Sequence, residues 1–185
     1  DRDPAMRELA HLFMVIRKEQ VRGVGELENW SRGHLLPTAY ASGRMIRFID
    51  QMSGSMGGVL GVDIDAAAAT VAASFNDGLS LHVYPQFGLG EHLPGLLQSA
   101  NLEDILRWLS LDIPQNVVRD AIYQRSLYPA TIPASVEERD ISQASTRQAL
   151  HLALRAARRD FPPAARSSRP ELMPAFDIII ACAGT

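Results

Sequence analysis

Gly57-Gly58-Val59-Leu60-Gly61-Val62-Asp63-Ile64-Asp65-Ala66-Ala67-Ala68-Ala69-Thr70-Val71-Ala72-Ala73-Ser74-Phe75-Asn76-Asp77-Gly78-Leu79-Ser80-Leu81-His82-Val83-Tyr84 is the stretch that decides the fold. Residues 59–64 are almost wholly apolar, as expected of a strand covered on both faces. The small residues 65–69 make a tight turn, and a second strand is expected over 70–75. Asn76-Asp77-Gly78 is a hairpin signal, because these residues accept the positive φ that such turns need. Residues 79–84 then alternate Leu79, Leu81 and Val83 against Ser80, His82 and Tyr84, the period of a half-buried strand. This is an antiparallel meander whose first strand delivers a carboxylate, Asp63, to a turn of small side chains.

Helical periodicity flanks the meander on both sides. Leu9, Leu12, Phe13 and Ile16 share one face of an expected helix over 4–19, which Gly23 and Gly25 end. A second helix over 39–52 offers Tyr40, Met45, Ile46 and Ile49, with Thr38 as its expected N-cap. Residues 53–58 connect it to the first strand. Downstream, a loop at 85–91 feeds expected helices over 91–98, 101–110, 115–127 and 135–160. Acidic Glu137, Glu138 and Asp140 near the start of the last one, and Arg155, Arg158 and Arg159 near its end, suit its dipole. Phe161-Pro162-Pro163 stops it, a basic loop covers 164–170, and residues 175–183 form a further buried strand. The expected class is α/β, with a helical segment, 1–56, leading into a core domain, 57–185. The chain opens as if mid-element at Asp1-Arg2-Asp3-Pro4 and stops at Gly184-Thr185 immediately after an apolar strand, so a piece of a longer protein is expected.

The 185 residues are 46% hydrophobic and 21% charged, an ordinary globular balance. A formal charge of −3 gives no global attraction to nucleic acid or to anionic membrane. No apolar run approaches the ~20 residues that span a bilayer, and no basic segment followed by an apolar one marks a secretory signal. Cys182 is the single cysteine, which excludes an intrachain disulfide and fits a reducing cytoplasm. Its apolar setting suggests a buried small hydrophobe. The five histidines lack metal-ligand spacing, Trp30 and Trp108 are expected to pack, and neither a Gly-x-Ser-x-Gly elbow nor a Walker A lysine motif occurs. Aromatic residues, 6% of the chain, are too few for a base-stacking platform.

The meander with Asp63 at the end of its first strand resembles the opening of actin-like and Hsp70-like ATPases, which implies a ribonuclease-H-like half. More narrowly, it resembles the MutL/GlmL family found with glutamate mutase, distinct from the mismatch-repair proteins of similar name. That family carries an Asp-Val-Gly-Gly-Ala-Thr-Thr-Asp type of motif here, preceded by a Leu-Pro-Thr-Pro element similar to Leu36-Pro37-Thr38-Ala39. The resemblance implies that Asp63 orients a metal-bound water; as two hard oxygen donors, Asp63 and Asp65 are also a candidate Mg²⁺ pair. It implies that Asp65, Ala66 and Thr70 approach the phosphates of ATP, and that Gly88, Gly90 and Glu91 match a Gly-Gly-Glu after strand three. Gly184 matches the first glycine of an adenosine-side turn. The departures are concrete: Asp65 and Ala66 replace two glycines, Ala69 a threonine and Val71 an aspartate. A carboxylate at 65 facing phosphate repels it by about 1 kcal/mol at 4 Å in water, and by several times more where solvent is excluded. A bridging Mg²⁺ reverses that sign. Three functions stay open: a nucleotide-binding ATPase acting on a client such as a cobalamin-dependent mutase, a degenerate member serving as an assembly module, or a small-molecule kinase.

Overall fold

The computed structural model describes residues 3–32, 35–54, 56–76, 78–162 and 172–183. Three helices come first: α1 (Asp3–Gln20), α2 (Val24–Trp30) and α3 (Thr38–Ser53). The strands β1 (Val59–Ile64), β2 (Ala69–Phe75) and β3 (Gly78–Tyr84) follow, then a 3₁₀ turn at Pro85–Phe87. Four helices lead to the last strand: α4 (Gly95–Ser99), α5 (Leu102–Leu106), α6 (Gln115–Leu127), α7 (Val136–Asp160) and then β4 (Ile178–Ala183).

The fold is α/β, with one four-stranded sheet in the order β3-β2-β1-β4. β1, β2 and β3 form the expected antiparallel meander, in which Asp63 pairs with Thr70 and Phe75 with Gly78. Asn76, at φ 47°, turns the chain between β2 and β3. β4 returns parallel to β1, placing Cys182 opposite Asp63. Parallel neighbours need a long crossover, which α4 to α7 supply.

Alternation along the strands sorts the side chains into two layers. Leu60, Val62, Ile64, Val71 and Ala73 point towards α4–α7, where Ala149, Ala153 and Ala157 repeat every four residues along α7. Side chains that small let the helix lie close to the sheet. Phe161, fully buried, seals the layer beside Phe75 and Phe176. On the other face Val59 and Ala72 meet Ile46 of α3, with Leu79, Leu81, Ile178 and Ile180 around them. Within this layer the Ser74 hydroxyl donates to the buried carboxyl of Asp50 at 2.8 Å, while the second Asp50 oxygen has no partner. Ser74→Ala is expected to cost about 1–3 kcal/mol by orphaning that group, read as a lower urea midpoint with unchanged m.

Several expectations need correcting. Leu9, Leu12, Phe13 and Ile16 form the expected apolar face of α1, but that face is exposed, at 45–65%. Periodicity shows that a face is apolar and says nothing about what covers it. α2 itself, spanning Gly25, was not expected. Trp30 is exposed rather than packed, whereas Trp108 is half-buried and donates to Gln148. Thr38 is the first helical residue of α3, and Pro37 occupies the N-cap without a side-chain bond. Residues 91–94 form turns, so α4 begins only at Gly95. α5 ends at Leu106, and the Asp140 carboxylate takes the Ser110 and Leu111 amides that a longer helix would have used. β4 starts at Ile178 rather than 175. Cys182 is exposed, because β4 lies at the sheet edge and the Cys182 face there borders a cleft. The expected loop 164–170 lies outside the described residues.

Candidate functional site

β1 carries Asp63 on the α3 side of the sheet, and a cleft of about 340 Å³ opens beside it. Thr70 from β2, Ile180 and Cys182 from β4, and Ala41 and Met45 from α3 line this space with Asp63. Its walls are mainly apolar, and among the described residues Asp63 is the one charged residue in the lining. Burial raises the pKa of Asp63, and the neighbouring charge of Asp65 raises it further. A cation at this point would relieve both effects.

The turn after β1 is closed by its own aspartate. Asp65 Oδ1 accepts hydrogen bonds from the backbone of Ala67 at 2.7 Å and of Ala68 at 2.9 Å. The Asp65 amide in turn donates to the Ala68 carbonyl at 3.1 Å. Successive amides converging on one oxygen form the kind of nest that phosphate-binding turns present to an anion. Here the anion is part of the chain.

Residues 88–90 strap this turn from outside. The Leu89 amide donates to the Asp65 carbonyl and the Gly90 amide to the Ala66 carbonyl, each at 2.9 Å, while Gly88 donates to Pro85. The glycines are needed for close approach. A Cβ at Gly88 would lie 2.7 Å from the carbonyl oxygens of Ala66 and Ala67, and one at Gly90 2.8 Å from that of Ala66. The structure therefore assigns Gly88 and Gly90 to holding the turn, with their amides already used. The helix expected to follow directly at 91 begins only at Gly95.

Of the other anticipated residues, Thr70 is buried beside Asp63, Ala66 is exposed at the tip of the turn, and Glu91 is exposed beyond the strap. Gly184 lies outside the described residues. The charge of Asp65 is near enough to raise the pKa of Asp63, and one Asp65 oxygen is committed to the turn. Among the described residues no three His, Cys, Asp or Glu side chains form a metal cluster. Two carboxylates suit Mg²⁺, which keeps waters and takes substrate phosphates for its remaining positions. Sequence reasoning missed the contribution of α3 and of Ile180 and Cys182 to the cleft. Their two-residue spacing from Ile178, alternating with Ile179 and Ala181, was the available signal.

No helix among the described residues is long and apolar enough to cross a membrane. A family model described as "MutL protein" matches residues 1–160. No curated protein and no solved structure matches the chain.

Proposed function

The chain belongs to the glutamate mutase-associated MutL family, and from that premise we propose that it is an actin/Hsp70-type domain with a self-filled phosphate turn. The strand order β3-β2-β1-β4, with an antiparallel meander and a parallel fourth strand, supports the ribonuclease-H-like half that this reading requires. One observation carries the functional conclusion: the Asp65 carboxylate occupies the amides of Ala67 and Ala68 that would otherwise meet a phosphate. A triphosphate entering this turn has to displace an anion tethered to the same backbone. The domain then acts as an assembly module for a client enzyme, such as a cobalamin-dependent mutase, without ATP hydrolysis.

Titration calorimetry with Mg-ATP on the protein and on Asp65→Gly/Ala69→Thr tests this. The parent is expected to give no saturable heat at millimolar nucleotide. The variant, freed of the competing anion and of like-charge repulsion, is expected to gain affinity by tenfold or more, about 1.4 kcal/mol. Tight binding by the parent that the substitutions leave unchanged sinks the proposal.

A second reading has its own support. Asp63 and Asp65 are close enough for one charge to raise the pKa of the other, and Asp63 borders a cleft of about 340 Å³. Asp63 and Asp65 would hold Mg²⁺, which would supply charge to bind a nucleotide's phosphates, with Asp63 positioned at the cleft. In that case Asp63→Asn abolishes the heat of Mg-ATP binding that the parent shows.

A further inference from the structure

A turn that fills itself leaves the Asp63 carboxylate without a task. Asp63 pairs with Thr70 of β2 on one side and with Cys182 of β4 on the other, so the three stand in a row on one sheet face. All three line the cleft of about 340 Å³ under α3. Asp63 makes no hydrogen bond or ion pair among the described residues. Thr70 is 8% exposed, and its hydroxyl has no hydrogen-bond partner there either. Directly opposed side chains on one sheet face have Cβ atoms about 5 Å apart, so one small group can reach both.

The acceptors define that group. A carboxylate offers two oxygens and a hydroxyl a third, and a primary ammonium carries three N–H donors. Burial opposes the charge of Asp63, Asp65 adds to the opposition, and a cation in contact reverses both. The walls define what the cation is attached to. Met45 and Ile46 from α3, Ala72 from β2 and Ile180 from β4 are apolar. Mg²⁺ takes oxygen ligands and retains water, so these walls give it nothing, whereas a hydrocarbon body is stabilised against them. At about 30 Å³ for each water-sized atom, a cleft of about 340 Å³ holds roughly eleven. Among the described residues no cation lines the cleft, so a carboxylate on the ligand would have no partner.

We propose that this cleft binds a small apolar primary amine, an aralkyl- or alkylammonium of about eight to eleven non-hydrogen atoms. Its ammonium donates to the Asp63 carboxylate and the Thr70 hydroxyl, and its hydrocarbon part lies between Met45, Ile46 and Ile180. Cys182 borders the bound molecule. The site goes beyond the assembly role and does not depend on whether the 65–68 turn accepts a phosphate.

Calorimetry with 2-phenylethylamine tests it, run without nucleotide or Mg²⁺ so that its outcome is separate from that of the phosphate turn. Saturable binding is expected. Three relatives are each expected to bind at least about tenfold more weakly. 2-Phenylethanol lacks the charge, phenylalanine adds an unpaired carboxylate, and the N-trimethylated amine keeps the charge but loses the donors. Asp63→Asn is expected to weaken the amine about tenfold, and Thr70→Val, which keeps the β-branched shape, about fivefold. Cys182, the single cysteine, reports the location. Saturating amine is expected to slow its alkylation by iodoacetamide about fivefold, since thiol reactivity follows access. Circular dichroism and unliganded melting temperatures establish that each variant is folded. No saturable heat with 2-phenylethylamine overturns the proposal. So does equal binding of 2-phenylethanol or phenylalanine, unchanged affinity in folded Asp63→Asn, or undiminished alkylation of Cys182.

Discussion

Gly88→Ala is expected to lower unfolding stability by about 3 kcal/mol and to free the 65–68 turn from its strap. The added methyl would sit 2.7 Å from the Ala66 oxygen and from the carbonyl carbon and oxygen of Ala67. These are backbone atoms, so no rotamer change relieves the contact. Either the strap or the turn has to move, and the bonds from Leu89 to Asp65 and from Gly90 to Ala66 go with it. Amide hydrogen exchange checks this directly, through lost protection at Leu89 and Gly90 beyond any global loss. Full protection at both amides would show that the glycine is dispensable there.

Asp140→Ala is expected to cost about 3 kcal/mol. The side chain is 5% exposed and accepts from the Ser110 amide, the Ser110 hydroxyl and the Leu111 amide at 2.8–2.9 Å. Those bonds fasten the chain after α5 to the first turn of α7. Burial by itself would raise the pKa of Asp140, but the Leu111 and Ser110 hydrogen bonds, with Arg147 nearby, hold it below its ordinary value. A carboxyl whose folded pKa lies below its unfolded one stabilises above the unfolded value. That contribution is lost as pH falls through the folded value. The gap between parent and variant should therefore be full at neutral pH and close below about pH 4. A gap that persists undiminished in acid would mean that shape, and not charge, is what Asp140 supplies.

Much of the fold was legible because its signals are local. The two-residue period of 79–84 and the Asn-Asp-Gly turn identify β3 and its hairpin without any knowledge of their surroundings. The helix expected over 135–160 matches α7, and in the folded chain Ser135 and Glu138 add reciprocal capping bonds at its start. Asp63 could be placed at the end of β1 for the same reason. The helix boundaries that failed depend on distant partners. The chain after α5, at Ser110 and Leu111, is held by Asp140, about thirty residues further along.

The site shows the same division more sharply. Small residues after an acidic strand end identified the turn, and Gly88 and Gly90 stood out as a pair. Their spacing could not reveal that their neighbourhood is a carbonyl-lined strap, since the partners lie more than twenty residues away. Charge alone suggested that Asp65 faces an incoming phosphate. It takes the folded turn to bring its oxygen onto the amides of Ala67 and Ala68.

By itself the amino-acid order determined the strands, the hairpin, the long capped helix and the position of Asp63, because hydrophobic period and turn chemistry act between neighbours along the chain. Only the tertiary structure decided that α1 keeps its apolar face exposed, that Cys182 borders a cleft, and that Asp65 fills its own turn. Those outcomes depend on which surfaces and hydrogen-bond donors meet across space, and a one-dimensional pattern does not specify its partners.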